Sequence, residues 1–187
     1  MRPAGVVQSC VPPTVTIAAL LATAAAVVAG QPPVRTPDIH YTPTRHSVAQ
    51  AMLELAGVTS DDVVYDLGSG DGRLPIIAAQ QFGARAVGIE LDPRLVALAR
   101  QNAADAGVAD RVTFVEGDLF TAPISPATVV VLYLSTSMLQ QLEPKLKSAL
   151  APGTRIVSHQ FLIGRWAPER HVRHDSADLF LWRVPPR

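Results

Sequence analysis

The chain of 187 residues is 48% hydrophobic, which is enough for one domain with a proper core and too little for two domains of ordinary size. Its 16 basic and 16 acidic residues cancel, so there is no electrostatic reason to expect a nucleic acid partner, because phosphate binding relies on clustered Lys and Arg. The single cysteine, Cys10, excludes an internal disulfide and a cysteine-based metal site.

Residues 1–30 differ in composition from the rest of the chain. After Arg2, residues 15–29 form an uncharged apolar run that leads into Gly30 and a proline-rich exit. This pattern is typical of a secretory signal peptide, and the run is short for a membrane span, which needs about 20 apolar residues. The alternative is an uncleaved anchor that holds the protein to a membrane through residues 11–29. Both interpretations predict an exported or membrane-associated protein and leave the side of the membrane open.

Residues 31–38 contain three prolines and predict a linker, so we expect the folded domain to cover residues 39–187. From Thr44 onward, apolar residues recur with helical spacing as far as position 56. Gly57 then supplies a stop signal.

Residues 63–73 are the most informative stretch of the chain. An apolar β-rich run passes through Asp66 into glycines at 68, 70 and 72, and a helical pattern follows. A strand, a tight ligand-binding turn and a helix N-terminus have this pattern, because glycine tolerates positive φ and lets backbone approach a ligand. A turn that is tight but binds nothing is the alternative.

Two further apolar runs end in acidic residues. Residues 86–89 lead into Glu90, and residues 112–117 lead into Asp118. Ligands of doubly wound α/β sheets bind outside the carboxyl ends of the strands, so we expect Asp66, Glu90 and Asp118 along one crevice. Three acids suit a ligand with hydroxyls, an amine and a positive centre better than a polyphosphate.

The second half of the chain continues the alternation of helices and strands. Asp92 and Pro93 predict a helix start, with an inner stripe of Leu95, Leu98, Ala99 and Ala106. Residues 136–150 are helical in spacing, although Pro144 should kink or divide this helix. Strands are predicted at residues 128–134 and 155–159, and a hairpin at 171–173 and 179–184. The predicted fold class is α/β, a doubly wound Rossmann-like sheet, mostly parallel with an antiparallel hairpin at its C-terminal edge.

The pattern Asp66-x-Gly68-x-Gly70-x-Gly72, with Glu90 closing the second strand and Asp118 the third, resembles the class I, seven-β-strand S-adenosylmethionine-dependent methyltransferases. The resemblance covers roughly residues 40–164. More narrowly, three segments look like the protein-lysine methyltransferases that modify the ATP synthase c-subunit and the adenine nucleotide translocase, and their bacterial relatives: Tyr41-Thr42-Pro43-Thr44, residues 64–73, and Leu142-Glu143-Pro144-Lys145-Leu146.

This resemblance implies S-adenosylmethionine as cofactor, no metal, and methyl transfer to a lysine amine of a protein, with a membrane-embedded protein as one candidate. It implies that backbone near Gly68 and Gly70 approaches the methionine portion and that Asp66 takes its amino group. Glu90 would accept both ribose hydroxyls, and Asp118 would accept from the adenine amino group. The remaining cofactor-binding candidates are Ser69, Gly72, Leu91, Leu119 against the adenine ring, and Tyr41 and Thr44 in a segment that closes over the cofactor.

The acceptor side has fewer signals. Tyr133 and His159 end the fourth and fifth strands, where either side chain could accept or relay the proton of a lysine amine. The alternative is that both are structural groups. The fourth strand lacks the Asn/Asp-Pro-Pro-Tyr turn of methyltransferases that act on adenine or glutamine amides, which disfavours those substrates.

Three other functions stay open at this point: a methyltransferase for a small molecule, a non-catalytic binder of S-adenosylmethionine, and a nicotinamide-dependent oxidoreductase. The last is disfavoured because its G-x-G-x-x-G pattern requires glycine at position 73, where this chain has Arg73.

Overall fold

The computed structural model describes residues 42–186, so the predicted leader, the linker and Tyr41 lie outside the described residues. No helix in this range is long and apolar enough to cross a membrane. The helices are α1 His46–Ala56, α2 Arg73–Phe82, α3 Pro93–Asp105 and α4 Thr136–Ala149. The strands are β1 Val63–Leu67, β2 Arg85–Glu90, β3 Val112–Glu116, β4 Val129–Leu132, β5 Arg155–His159, β6 Arg170–His174 and β7 Ala177–Arg183.

Within the described range the strands form one sheet of seven, in the order β3-β2-β1-β4-β5-β7-β6. Strands β1 to β5 pair in parallel, and β7 runs antiparallel between β5 and β6. The strand order reverses between β1 and β4, so the switch point at which such sheets bind ligands lies between these two strands. The predicted fold class, including the C-terminal edge hairpin, is confirmed.

Both faces of the sheet are covered, which is why its central strand is apolar throughout. All four residues of β4 are buried. One core cluster packs Met52 of α1 and Ile77 of α2 against the sheet, and a second cluster packs Leu142 of α4 against Trp182 of β7. A parallel strand between two such layers is expected to be a continuous apolar run rather than an alternating one.

The predicted inner stripe of α3 was wrong at Leu98. The helix does begin at Pro93 with Asp92 as its cap, but it buries Val96, Ala99 and Ala103 and leaves Leu98 46% exposed. Ala99 lies where α3 approaches the glycine turn, and a close approach of this kind accepts only a small side chain.

Pro144 was predicted to kink or divide a helix, and it does not divide it, because α4 continues from Thr136 to Ala149. Pro144 is on the exposed side of the helix. Its missing N–H leaves the carbonyl of Gln140 without an intrahelical donor, and Gln140 is exposed too, so water can hydrogen-bond there instead.

Candidate active site

The turn between β1 and α2 has positive φ at each of its glycines: 89° at Gly68, 54° at Gly70 and 82° at Gly72. L side chains rarely adopt this conformation. A Cβ at Gly72 would lie 2.4 Å from Phe114 Cζ, so packing of the turn against β3 requires this glycine. A Cβ at Gly68 would lie 3.3 Å from Leu134 Cδ2, just beyond the end of β4.

An ion pair ties this turn to the residues that precede α1. At the start of α2 the N-cap position is Gly72, and Arg73 N donates to Asp71 Oδ1 at 3.3 Å. The Asp71 carboxylate also accepts from Arg73 Nε at 3.0 Å and Nη2 at 2.6 Å. Arg73 Nη1 donates to the carbonyl oxygen of buried Thr44 at 2.7 Å. Thr44 is therefore held beside the glycine turn.

Backbone N–H groups hold the Glu90 carboxylate in one orientation at the end of β2. Its Oε2 accepts from Gly70 N at 2.9 Å, and its Oε1 accepts from Leu91 N at 2.8 Å and Asp92 N at 3.0 Å. A carboxylate has about four acceptor positions, so three are filled and Oε2 keeps one for a ligand hydroxyl. Glu90 therefore has room to accept from one ligand hydroxyl, whereas the resemblance implied both ribose hydroxyls.

Asp66 is the most strongly perturbed acid in the crevice. Its side chain is 3% exposed, and burial, followed by the charges of Glu90 and Asp71, raises its pKa to about 8. The buried hydroxyl of Ser69, three residues along the same turn, has no hydrogen-bond partner within residues 42–186. A buried acid and an unpartnered hydroxyl fit a ligand that brings an ammonium and further polar atoms.

Asp118 and Leu119 follow β3. Asp66, Glu90 and Asp118 therefore lie in or just after three neighbouring strands of the sheet, as predicted. Asp118 Oδ1 accepts from Phe120 N at 2.8 Å, which shapes the start of the loop. If Gly68 carried a Cβ, that atom would lie 4.0 Å from Leu119 Cδ2. Leu119 therefore borders the glycine turn. In the part of the chain that the structure describes, no three His, Cys, Asp or Glu side chains are placed to hold a metal ion.

A cavity of about 240 Å³ opens beyond the ends of β4 and β5, on the other side of the switch point. Tyr133 and His159, the candidate acceptor-side residues, both line it. The sheet register places Leu132 beside both Leu67 and Ser158, so Tyr133 stands next to the glycine turn on one side and His159 on the other. The remaining lining residues are Thr42, Pro43, Arg45, Val48, Gln160, Ser176 and Ala177.

The Tyr133 and His159 rings are in contact, with centroids 4.0 Å apart and an interplanar angle of 32°. Burial, followed by the charge of Arg45, lowers the pKa of His159, so the imidazole is neutral at neutral pH. His159 Nδ1 is buried and makes no hydrogen bond within the described residues. A neutral imidazole in the lining of a cavity can accept a proton.

Sequence reasoning missed the polar residues that complete this cavity. Arg45 Nη2 donates to Ser176 Oγ at 2.7 Å across a separation of 131 positions, which joins the start of α1 to the β6–β7 turn. Gln160 has a φ of 72° although it is not a glycine, and its backbone conformation directs the chain away from β5. No local pattern signals residues that only the sheet order brings together.

The family model of the ANTKMT methyltransferase domain matches residues 66–170. The chain belongs to this family. It is 42% identical over 144 residues to the protein-lysine N-methyltransferase of Saccharolobus islandicus, covering 76% of this chain and 89% of that one. It is 34% identical over 163 residues to the ATP synthase c-subunit lysine N-methyltransferase of Xenopus laevis, covering 87% of this chain and 70% of that one.

Among solved structures, the chain is similar to the RNA methyltransferase from Salinibacter ruber in complex with S-adenosyl-L-homocysteine. The TM-score is 0.77 at 55% sequence identity, and the match covers 78% of this chain and 95% of that chain. The predicted family, the methyltransferase activity and the seven-strand fold are confirmed for this ANTKMT-domain protein.

Proposed function

We propose that this methyltransferase uses S-adenosylmethionine to methylate a lysine amine of a protein. The observation that carries the proposal is the cavity of about 240 Å³ lined by Tyr133 and His159, in a chain whose relatives include protein-lysine methyltransferases. In the sheet register, Tyr133 lies between the glycine turn and His159. The cofactor supplies a methyl group activated by a positively charged sulfur. The residues of the chain bind it, exclude water and receive the proton of the acceptor.

The cofactor half of the site binds by charge and hydrogen bonding. Asp66 pairs with the ligand ammonium and becomes ionised in doing so, since its pKa of about 8 reflects burial without a cationic partner. Glu90 Oε2 accepts from a ribose hydroxyl, and Asp118 accepts from the adenine amino group. Leu119 packs against the adenine ring.

The acceptor half must supply a neutral amine, because an ordinary lysine has a pKa near 10.4 and its ammonium has no lone pair. The positive charge of Arg45 in the cavity wall disfavours the ammonium form of a bound lysine. His159 accepts the proton that leaves the nitrogen. The neutral nitrogen would then receive the methyl group that the bound cofactor supplies.

An acceptor protein embedded in a membrane is the narrower form of the proposal. Phe161 is 37% exposed and Leu162 is 45% exposed, and both directly follow the cavity residue Gln160. An apolar pair at this position suits an apolar protein surface around the target lysine. Residues 1–30, proposed as a signal peptide or an anchor, would bring the enzyme to the membrane or across it.

RNA is a second candidate acceptor because the similar protein of Salinibacter ruber is named an RNA methyltransferase. The balance of 16 basic and 16 acidic residues argues against it, since RNA backbone binding needs a surplus of positive charge. A small-molecule acceptor and a non-catalytic binding role are the other outcomes that an experiment has to separate.

The decisive experiment incubates the enzyme with methyl-labelled S-adenosylmethionine and a membrane-fraction extract. We expect label in a protein band that resists ribonuclease and that yields methyl-lysine on hydrolysis. Label in RNA or in a small molecule would overturn the lysine proposal, and ligand binding without any transfer would indicate a non-catalytic protein. Replacing the proposed proton acceptor, His159→Asn, should lower kcat by about 100-fold. His171→Asn, on the exposed hairpin, is the matched control.

A further inference from the structure

One lysine of α4 fastens the loop between β3 and β4. Lys145 Nζ donates to the carbonyl oxygen of Leu119 at 2.7 Å and to that of Ala122 at 2.5 Å. Burial lowers the pKa of this ammonium, and the nearby charge of Asp118 opposes the shift. Hydrogen bonds with a charged donor are roughly twice as strong as neutral ones, so two of them on one short loop restrict it strongly.

The fastened segment is a single tight turn. The carbonyl oxygen of Asp118 accepts from Thr121 N at 3.0 Å and from Ala122 N at 2.9 Å. Those bonds close the turn on itself at its β3 end. Lys145 supplies the bonds that hold the same turn against α4, so the turn is fixed from two directions.

This turn carries the side chain that borders the glycine turn. Leu119 presents its carbonyl to Lys145, while its Cδ2 lies 4.0 Å from the position of a Cβ at Gly68. Asp118 is the preceding residue. Any shift of the Leu119 backbone therefore moves both residues proposed for the adenine end of the cofactor.

The backbone around Lys145 is anchored in the core. Leu142 and Leu146, on either side of Lys145, are fully buried in the core cluster that contains α4. The two leucines thus anchor the segment Leu142-Glu143-Pro144-Lys145-Leu146 in the core, and the lysine extends from it to the loop.

We propose that Lys145 is a positioning residue: it sets the 118–122 turn against the glycine turn, and so determines the affinity for the cofactor and the recognition of its adenine amino group. The inference rests on the proposed function, in which Asp118 and Leu119 bind adenine. Lys145 itself need not touch the cofactor.

The test compares Lys145→Met with Lys147→Met. Lys147 is two residues further along α4, where its Nζ donates to Glu143 Oε1 at 2.6 Å and lies 4.9 Å from the centroid of the Trp166 ring, away from the loop. Lys145→Met should raise KM for S-adenosylmethionine about tenfold or more, since hydrogen bonds to charged groups are the stronger class. It should leave kcat at saturating cofactor within about twofold, because the reacting atoms are untouched. Lys147→Met should change neither value.

A second readout addresses the adenine amino group directly. The unaltered enzyme should bind S-adenosylhomocysteine more tightly than its hypoxanthine counterpart, in which an oxygen replaces the amino group. Lys145→Met should narrow that preference. Lys145→Gln keeps N–H donors at a similar reach, so its preference should lie between those of the unaltered enzyme and Lys145→Met. If Lys145→Met does not fold, Lys145→Gln is used in its place.

A merely structural role predicts a different pattern. A lower melting temperature and a smaller active fraction, with unchanged KM and unchanged adenine preference, would overturn the inference. If the unaltered chain binds no S-adenosylhomocysteine, the proposed function fails and the inference falls with it. If the unaltered chain binds this ligand and Lys145→Met binds it equally well, only the inference fails.

Discussion

The two halves of the crevice are built in different ways. On the cofactor half, at the ends of β1, β2 and β3, the Glu90 carboxylate is already held by three backbone N–H groups of nearby residues. On the acceptor half, at the ends of β4 and β5, His159 Nδ1 is buried without a partner among the described residues, beside a cavity of about 240 Å³. Each half keeps a buried polar atom without a partner among the described residues, Ser69 Oγ on the cofactor half and His159 Nδ1 on the acceptor half. They differ in that backbone N–H groups already orient the carboxylate of the cofactor half.

This difference follows from how each half meets its hydrogen-bonding requirements. The glycine turn and the ends of β2 and β3 are short loops that can bond to themselves. The acceptor half is assembled from the start of α1, the ends of β4 and β5, and the β6–β7 turn. An unpartnered buried nitrogen such as His159 Nδ1 lowers stability, and the proton-acceptor role that we propose for His159 would account for it.

The largest expected effect is the loss of stability when Gly72, in the cofactor half, is replaced. Gly72→Ala adds positive-φ strain and a Cβ 2.4 Å from Phe114 Cζ, so we expect it to lower the free energy of unfolding by about 4 kcal/mol. Gly107→Ala is the matched control, because Gly107 has a φ of 70° and nothing lies within 4 Å of its Cβ position. It should cost only about 1–2 kcal/mol. Urea unfolding measures both, and equal losses would show that Phe114 does not constrain the turn.

The next effect tests whether the cofactor half depends on Glu90. Glu90→Ala removes the acceptor of three backbone N–H groups and one proposed ligand contact, so binding of S-adenosylhomocysteine should weaken by about 1–3 kcal/mol. Glu116→Ala is the control, since Glu116 is the register partner of Glu90 on β3 and its side chain is exposed. Isothermal titration with each variant decides the question. Normal affinity in Glu90→Ala would remove Glu90 from the site.

The smallest effect concerns Asp66, which lies on β1 in the cofactor half. Its pKa is about 8 in the folded chain and near the ordinary 3.8 when unfolded, so between about pH 4 and 8 only the folded state keeps the proton. The free energy of unfolding should therefore fall as pH rises through this window and level off above it. Asp66→Asn removes this pH dependence. The free energy of unfolding of the variant, relative to that of the unaltered protein, should therefore rise by about 1 kcal/mol or more from pH 5 to pH 8.

Urea unfolding without ligand, at several pH values, measures this difference in the free energy of unfolding. Asp61→Asn removes an exposed carboxylate of the same charge, and it separates the effect of burial from that of net charge. A constant difference between Asp66→Asn and the unaltered protein would mean that Asp66 is ionised in the folded state.

Local patterns in the sequence were enough to predict most of the cofactor half. The glycines at 68, 70 and 72 and the acids at 66, 90 and 118 occur at the ends of apolar runs, and the sheet places them as expected. Periodicity failed where packing decided the outcome. Leu98 lies outside the core because α3 turns the face of Val96, Ala99 and Ala103 inward, with the small Ala99 near Gly72.

By itself the sequence determined the order of strands and helices, the glycine turn, and the residue types at the strand ends, because each depends on neighbours a few positions away. Only the tertiary structure decided which groups those residues meet. The hydrogen bond of Arg45 to Ser176, the ring contact of Tyr133 with His159, and the bonds of Lys145 to the 118–122 turn all join elements distant in the chain. Such contacts depend on the strand order and on the packing of the helices against the sheet, and residue spacing along the chain does not encode them.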